Sequence, residues 1–187
     1  MLDEAALNEL LDRAEHDLFR LETLDSYEVR TDGSDYDRYL RGEPGPDMAR
    51  KRPWMDRLAA DAARGLRNYR VHVLRSPLSP YLRYECEWGY AYNVTVGEEI
   101  RILDLAERPV PSGLVNEDFW LMDNTTVVRM CYQSGRFVGA ERLPPSDLDR
   151  YRAARDAAWQ RAVPFEEYWT AHPQFWRDKE ATSGRRR

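Results

Sequence analysis

The chain has 187 residues, of which 42% are hydrophobic and 12% aromatic. This apolar content is enough for one domain with a sizeable core, and it excludes an intrinsically disordered chain. The formal net charge of −5 argues against a dedicated nucleic-acid-binding domain, which is usually basic as a whole. Most of the 6 Trp and 11 Tyr rings are expected in the core or half-buried at its edge.

Charge is distributed unevenly along the sequence. Residues 1–47 carry 14 acidic residues against 5 arginines, whereas residues 50–83 carry 9 Lys or Arg against 2 Asp. Either the acidic segment folds against the basic one, or the basic segment forms a face for a phosphate-bearing or acidic partner. The first interpretation is favoured because the total charge is negative, and direct nucleic-acid binding through residues 50–83 is disfavoured for the same reason.

The cysteines and the N-terminal sequence indicate the compartment. Cys86 and Cys131 lack the close spacing and the neighbouring His or Cys of a metal site or a disulfide framework, which fits a reducing environment. The first residues are acidic and amphipathic, whereas a signal peptide would be basic and then apolar, and no apolar run approaches the length of a membrane span. The sequence predicts a cytoplasmic protein with no cofactor, no metal site and no membrane association.

The N-terminal segment predicts a helix over residues 2–24. The apolar residues that support it recur at spacings of four and three and are Leu7, Leu11, Ala14, Leu18 and Leu21. A narrow seam of this kind packs on a core or pairs with a second copy; packing within the chain is favoured, and a homodimer is the alternative.

The positions of glycine and proline help to predict where the next helices and strands begin and end. A short helix around Tyr36–Leu40 ends at Gly42, and the loop over 42–53, with three prolines and two glycines, is expected to be flexible. Pro53 suits the first position of the following helix. The later elements are predicted as a helix over 53–64, a strand over 67–74, a helix over 79–92, a strand over 98–103, three strands between 118 and 142, and helices over 145–161 and 164–171.

This order predicts an α/β (α+β) protein with one mixed sheet flanked by helices. The domain organisation is predicted as an acidic N-terminal helical arm over 1–47, an α/β core with C-terminal helices over 48–172, and a largely disordered tail over 173–187.

The candidates for chemistry are few. His72 lies in the predicted strand beside arginines, where a base would be well held, but a lone histidine in a strand is more often structural. The carboxylates are too scattered to nominate an acid–base pair, and the sequence contains no glycine-rich phosphate loop, no GxSxG and no HExxH. His72 and Asp118 are therefore weak catalytic candidates.

Several stretches together resemble one actinobacterial family of unknown function. They are PWMDRLAADAARGLRNYRVHVLRSPLSPYLRYECEW, GEEIRIL, DFWLMDNTTVVRM, GRFVGAE and YRAARDAAWQRAVPFEEY, and the resemblance covers about residues 18–169. Members of that family resemble neighbours of small helix-turn-helix regulators of the WhiJ type, in loci tied to development and secondary metabolism. The resemblance implies a cytoplasmic accessory or regulatory protein and brings no established activity.

The order of elements also resembles half of a phospholipase D-like domain, whose motif is His-x-Lys-x-x-x-x-Asp. Aligning Asp123 with the motif's Asp puts Asn116 at its His and Asp118 at its Lys. The nucleophile and its cationic partner are then both missing, so the resemblance implies a retained pocket without the phosphodiesterase reaction.

We therefore expect a non-catalytic binding or regulatory module. The binding residues are predicted to be Arg70, His72, Tyr81, Arg83, Tyr84, Trp88, Asn116, Asp118 and Trp120. The expected partners are a small phosphate-bearing ligand and a helix-turn-helix regulator or another protein. The alternative is a small biosynthetic transferase or hydrolase that acts on a phosphate-bearing or nucleotide-linked substrate, with His72 or Asp118 as base.

Overall fold

The computed structural model describes residues 1–28 and 35–177. Its helices are α1 Glu4–Leu11, α2 Asp35–Leu40, α3 Met48–Ala63, α4 Pro80–Tyr84, α5 Ala91–Asn93, α6 Leu148–Arg161 and α7 Phe165–Ala171, with a π-helical stretch Glu85–Tyr90 between α4 and α5. Its strands are β1 Asp17–Glu22, β2 Arg67–Leu74, β3 Glu99–Asp104, β4 Phe119–Met122, β5 Thr126–Gln133, β6 Arg136–Arg142 and β7 Val163–Pro164.

The seven strands form one mixed sheet in the order β6-β5-β4-β1-β2-β3-β7. Strands β1, β2 and β3 run parallel, and the other pairings are antiparallel. The predicted mixed sheet with flanking helices is confirmed, while the phospholipase D-like topology stays a prediction. β1 and β2 are the central parallel pair, in a register that places Arg20 beside Arg70 and Glu22 beside His72.

One face of the sheet is apolar and lies under α6. Because side chains alternate along a strand, Phe19 and Leu21 of β1 point to the same face as Val71 of β2. They pack with Tyr151 and other α6 residues in one cluster, in which the rings of Phe119 and Tyr151 are 4.8 Å apart. Burial of this face contributes hydrophobic stabilisation around the central strands.

The other face is apolar only at its two sides. Towards β6 it packs under α1 through Leu7, Leu11 and Leu18. Towards β7 it packs under the π-helical stretch and α7 through Ile102 and Phe165. Between these two clusters, β1 and β2 present charged side chains, and this gap becomes the candidate site.

The prediction of one helix over 2–24 is wrong. α1 ends at Leu11, and β1 begins at Asp17 as a strand at the centre of the sheet. The strand is buried on both faces, so Leu18 and Leu21 are apolar on opposite sides of it. Apolar residues on both faces produce spacings that also fit a helix, which explains the error.

The prediction for the start of α3 is also wrong, and that for 79–92 is right only in part. α3 begins at Met48, capped by the Asp47 side chain, so Pro53 lies inside the helix and the loop predicted over 42–53 ends earlier. Ser79 caps α4 as predicted, but the α-helix gives way to the π-helical stretch after Tyr84.

The structure confirms the strand predicted over 67–74 and the three strands predicted between 118 and 142. It also confirms the strand predicted over 98–103, which begins and ends one residue later. The two hairpin turns hold Asp123, Asn124, Ser134 and Gly135 at positive φ, as the sequence Asp-Asn and Ser-Gly predicts. The predicted C-terminal helices are confirmed as α6 and α7.

The C-terminal tail is described only as far as Arg177. That residue donates to the Glu87 carboxylate and to the carbonyls of Tyr39 and Glu43. The rest of the predicted disordered tail, 178–187, lies outside the described residues. Within the described ranges, every helix is too short or too polar to span a bilayer.

Candidate functional site

A cleft of about 720 Å³ lies over the charged part of the sheet, and we call it the central cleft. Its floor comes from β1, β2 and β4, and its walls come from α1, α3, α4 and the π-helical stretch. Cavities of 300 to 1,000 Å³ with few placed polar groups are typical of small-molecule sites.

The floor carries buried charge. Arg20 and Glu22 of β1 and Arg70 of β2 line the cleft, although each is no more than 9% exposed. Burying ions in a protein interior costs several kcal/mol each unless they are paired and hydrogen-bonded, and apolar residues would be cheaper at these positions. Such clusters are therefore candidates for functional sites.

Each arginine of the floor has a carboxylate of its own. Arg70 donates from Nε to Glu98 Oε1 at 2.7 Å and from Nη1 to Glu22 Oε2 at 3.0 Å. Arg20 donates from Nη2 to Asp118 Oδ2 at 3.1 Å. These pairs keep both guanidinium groups charged, and the surrounding carboxylates hold the pKa of Arg70 well above its usual value despite the opposing effect of burial.

Asp118 anchors the N-terminal side of β4 and has all its acceptors in use. Its Oδ1 accepts from the backbone N–H and the hydroxyl of Thr23, and its Oδ2 accepts from Arg20 and from the Tyr27 hydroxyl at 2.7 Å. The aspartate therefore fixes the segment after β1 against the start of β4.

His72 lies under the floor, fully buried, with both ring nitrogens engaged. Its Nε2 lies 3.0 Å from the Leu24 carbonyl oxygen, which can only accept, so Nε2 carries a proton. Its Nδ1 lies 2.7 Å from the Tyr90 hydroxyl, which donates in turn to Glu22 at 3.0 Å. The Tyr90 hydroxyl has one proton for two neighbours, so when it donates to Glu22, Nδ1 donates to the hydroxyl and the ring is an imidazolium; when it donates to Nδ1, the ring is neutral.

The pKa values agree with this arrangement. Burial lowers the pKa of His72, but the contact of its ring with the Glu85 carboxylate and the charges of Glu85 and Glu22 outweigh it and raise that pKa to about 9. Burial raises the pKa of Glu22, but the charges of Arg70, Arg20 and His72 outweigh it and lower that pKa to about 2. The surroundings therefore favour the charged form of both groups, positive at His72 and negative at Glu22.

Aromatic rings form one wall of the central cleft. Tyr27, Tyr81, Tyr84 and Trp88 belong to one buried cluster, in which neighbouring ring centroids lie 5.8 Å apart for Tyr81–Tyr84 and 6.0 Å apart for Tyr84–Trp88. On the floor, the Arg20 guanidinium lies over the Trp120 ring at 5.0 Å. A planar ligand group can stack on such surfaces.

The predicted binding residues divide into three groups. Arg70, Tyr81, Tyr84, Trp88 and Trp120 line the central cleft. His72 and Asp118 lie under it and contact the residues that line it. The other two lie elsewhere, because Arg83 stacks on Phe175 at 5.7 Å and Asn116 is exposed in the loop before β4.

The residues aligned with the phospholipase D motif have separate structural roles. Asp123 accepts from the backbone N–H groups of Glu15, His16 and Asp17 and ties the β4–β5 turn to the start of β1. Asp118 pairs with Arg20, and Asn116 faces solvent. None of the three is among the residues that line the central cleft.

The sequence did not identify Arg20, Glu22, Glu85, Tyr90 or Tyr132 as site residues. Arg20 and Glu22 lie in the segment that was predicted to be helical, and the sequence DLFRLE of Asp17–Glu22 has no strict alternation that would indicate a strand. Glu85 and Tyr90 are five apart, a spacing that shares a face only in a π-helical turn.

Three arginines of the basic segment 50–83 contact the N-terminal segment. Arg57 pairs with Asp12 of the N-terminal segment, Arg64 donates to the Ala14 carbonyl, and Arg70 is buried against Glu22. Part of its charge is thus neutralised by residues 1–47, as the favoured interpretation expected.

The fold and the site define an α/β domain whose central sheet bears a buried ionic cluster under an aromatic-walled cleft. The chain belongs to the family described as a domain of unknown function (DUF6879), whose model matches residues 5–170. The match includes all seven strands and every floor residue of the central cleft. A comparison with curated proteins gave no match.

Proposed function

We propose that the protein is a non-catalytic binding module that holds a small phosphate-bearing ligand in the central cleft. The observation that carries the proposal is the ionic floor of Arg20, Glu22 and Arg70 beneath an open cavity. Because apolar residues would cost less in the middle of a sheet, this floor is explained by recognition of a polar ligand.

Two features support an acidic group on the ligand. Nη1 of Arg20 is buried at the floor and has no hydrogen-bond acceptor among the described residues. Arg50 and Arg57 reach the cleft from α3, with 50% and 38% of their side chains exposed. Guanidinium groups bind phosphate oxygens through paired, charge-assisted hydrogen bonds. The aromatic wall suits a planar group attached to the phosphate.

Binding is favoured over catalysis because the candidate bases are already engaged. Both nitrogens of His72 and both oxygens of Asp118 take part in hydrogen bonds within the chain. A general base must reach a substrate proton within hydrogen-bonding distance, directly or through one water. Neither group lines the central cleft, which counts against the transferase or hydrolase alternative.

The biological role that we propose is accessory or regulatory. This role rests on the sequence resemblance to actinobacterial proteins associated with WhiJ-type helix-turn-helix regulators and secondary metabolism. We also propose that the protein is cytoplasmic. On this proposal, the domain with a ligand bound in the central cleft binds a regulator protein. Co-expression with a WhiJ-type helix-turn-helix regulator tests the role, because the complex should survive gel filtration only with ligand present.

A cleft-filling variant tests the ligand site. Gly89 lines the cleft, and a Cβ there would meet only Glu85 Cγ, at 3.5 Å, so Gly89→Leu should fold and occupy the cavity. Ala59→Leu, on the exposed side of α3, is the matched control. The probes are inorganic phosphate, sugar phosphates and nucleoside monophosphates and diphosphates, and melting temperature is measured.

We expect at least one phosphate-bearing probe to raise the melting temperature of the wild type and of Ala59→Leu in a saturable way. Gly89→Leu should show no shift. Equal shifts in all three proteins would place the binding elsewhere, and turnover of any probe by the wild type would refute the non-catalytic proposal.

A further inference from the structure

Three metal-ligating side chains meet where the floor of the central cleft joins the π-helical stretch. Glu22, His72 and Glu85 each offer one ligand atom, and these atoms lie within 4.8 Å of one another. Around an ion with bonds of about 2.1 Å, two ligand atoms lie roughly 3 to 4 Å apart, so small side-chain rotations complete such a shell. Nδ1 of His72 and Oε2 of Glu85 are already 3.4 Å apart.

The histidine is oriented as a metal ligand is. Nε2 of His72 faces the Leu24 carbonyl oxygen at 3.0 Å, which fixes the ring and directs Nδ1 to the cluster. A ligating histidine usually donates its second N–H to a carbonyl or a carboxylate in this way. The Tyr90 hydroxyl, 2.7 Å from Nδ1, adds an oxygen at the same point.

The charged groups of the cluster sum to a formal charge of −2 when His72 is neutral, which two positive charges would balance. Arg70 is matched by Glu98, and Arg20 is matched by Asp118. Glu22 and Glu85 then remain as two carboxylates facing one imidazole, a formal charge of −2 when the ring is neutral. An imidazolium neutralises half of this charge, whereas a divalent cation with a neutral imidazole neutralises all of it.

Glu85 has an oxygen that is only partly satisfied. Its Oε2 is buried and accepts no hydrogen bond among the described residues, and its ion-pair contact with Nδ1 of His72 is 3.4 Å long. A buried carboxylate oxygen without a donor costs free energy, and such atoms in native proteins call for an explanation such as a bound ion. Glu22, Glu85 and Tyr90 all line the central cleft, so an ion can reach the cluster from solvent.

We propose that Glu22, His72 and Glu85 bind one divalent transition-metal ion, with the Tyr90 oxygen beside it. One imidazole and two carboxylates suit Zn²⁺ or Mn²⁺, whereas Mg²⁺ and Ca²⁺ prefer shells made of oxygen alone. Because Glu22, Glu85 and Tyr90 line the cleft, an oxygen of a bound anion could complete the coordination from that side. The inference goes beyond the proposed function and holds whichever ligand occupies the cleft.

The test is metal titration of the full chain after stripping with EDTA. Zn²⁺ and Mn²⁺ are the probes, Mg²⁺ is the comparison ion, and binding is followed by calorimetry and by metal analysis after dialysis. The variants are Glu85→Gln, at the edge of the cleft, and Glu141→Gln, an exposed carboxylate paired with Arg129 on β5 as the matched control. Circular dichroism confirms that each variant folds.

We expect the wild type and Glu141→Gln to bind one equivalent of Zn²⁺ or Mn²⁺, with Mg²⁺ at least tenfold weaker and Glu85→Gln at least tenfold weaker than wild type. The wild type loaded with Co²⁺ should show the visible absorption of a four- or five-coordinate ion, a result that needs no variant. Absence of stoichiometric binding by the wild type, or equal affinity in Glu85→Gln, would overturn the proposal. No phosphate-bearing probe is present in the titration, so its failure leaves the ligand-binding proposal standing.

Discussion

Arg20 and Arg70 are register partners on the two central parallel strands, yet their guanidinium groups are neutralised by carboxylates from different parts of the chain. Arg20 pairs with Asp118 at the start of β4, and Arg70 pairs with Glu98 before β3. Glu22 lies between them, 3.5 Å from Nε of Arg20 and 3.0 Å from Nη1 of Arg70. Two like charges on neighbouring strands are therefore stable only while all three carboxylates are in place.

Removing the partner of Arg20 should destabilise the fold strongly. Asp118→Ala leaves a buried guanidinium without its carboxylate and the Thr23 and Tyr27 donors without their acceptor. We expect a loss of about 3 to 5 kcal/mol in the free energy of unfolding, measured by urea denaturation. Glu141→Ala, which breaks an exposed pair with Arg129, should cost no more than about 1 kcal/mol.

A cost for Asp118→Ala as small as that for Glu141→Ala would contradict the account of the floor. The double variant Arg20→Met with Asp118→Leu removes both charges together. It should recover most of the lost stability, because well-packed apolar residues replace a buried pair at little or no cost.

Adjacent aromatic residues on β4 should respond differently to truncation. Phe119 is fully buried under α6, whereas Trp120 is partly exposed in the central cleft. Phe119→Ala should lower the free energy of unfolding by about 3 to 5 kcal/mol. Trp120→Ala should cost less than half as much and should remove ligand binding, as thermal melts and probe titration will show. The reverse order of stability losses would mean that Trp120 is a core residue.

Asp123 should make the free energy of unfolding depend on pH in the acidic range. Burial raises the pKa of this carboxyl, but hydrogen bonds from the backbone N–H groups of His16, Glu15 and Asp17 outweigh it and lower the pKa below its usual value. A carboxyl whose pKa is lower in the folded state stabilises the fold above the unfolded pKa of 3.8 and loses this effect as pH falls through the folded value. Asp123→Asn keeps the shape and tolerates the positive φ of the turn.

The difference in unfolding free energy between wild type and Asp123→Asn should therefore be largest near pH 6 and should shrink as pH falls below 4. Chemical denaturation at a series of pH values measures it. A difference that stays constant down to pH 3 would show that the charge of Asp123 does not contribute.

The parts of the fold that sequence patterns could predict are those with one dominant local signal. β2 alternates polar and apolar residues, and the β4–β5 and β5–β6 turns carry Asp-Asn and Ser-Gly, which tolerate positive φ. β1 was missed because a strand buried on both faces has no clear period of two. Once β1 is read as a helix, Arg20 falls on the face opposite the apolar seam, and its pairing with β2 cannot be predicted.

The site could be predicted only in part because it is assembled by sheet register. Arg20 meets Arg70 across a sequence distance of 50 residues, and Glu85 contacts His72 from the start of the π-helical stretch. Neither relationship leaves a local mark in the sequence. The aromatic residues Tyr81, Tyr84 and Trp88 were found because their spacings of three and four already place them on one helical face.

The central claim, that the cleft is a ligand site, is tested most directly by an NMR titration of the indole N–H signals of the six tryptophans. The titrant is the phosphate-bearing probe that raises the melting temperature most. Trp88 and Trp120 line the cleft, whereas Trp159 packs on the opposite face of the sheet with α6. If the cleft binds the probe, the Trp88 and Trp120 signals should shift in a saturable way and the Trp159 signal should stay unchanged. Shifts confined to Trp159, or no shift of any indole signal at saturating probe, would contradict the central claim.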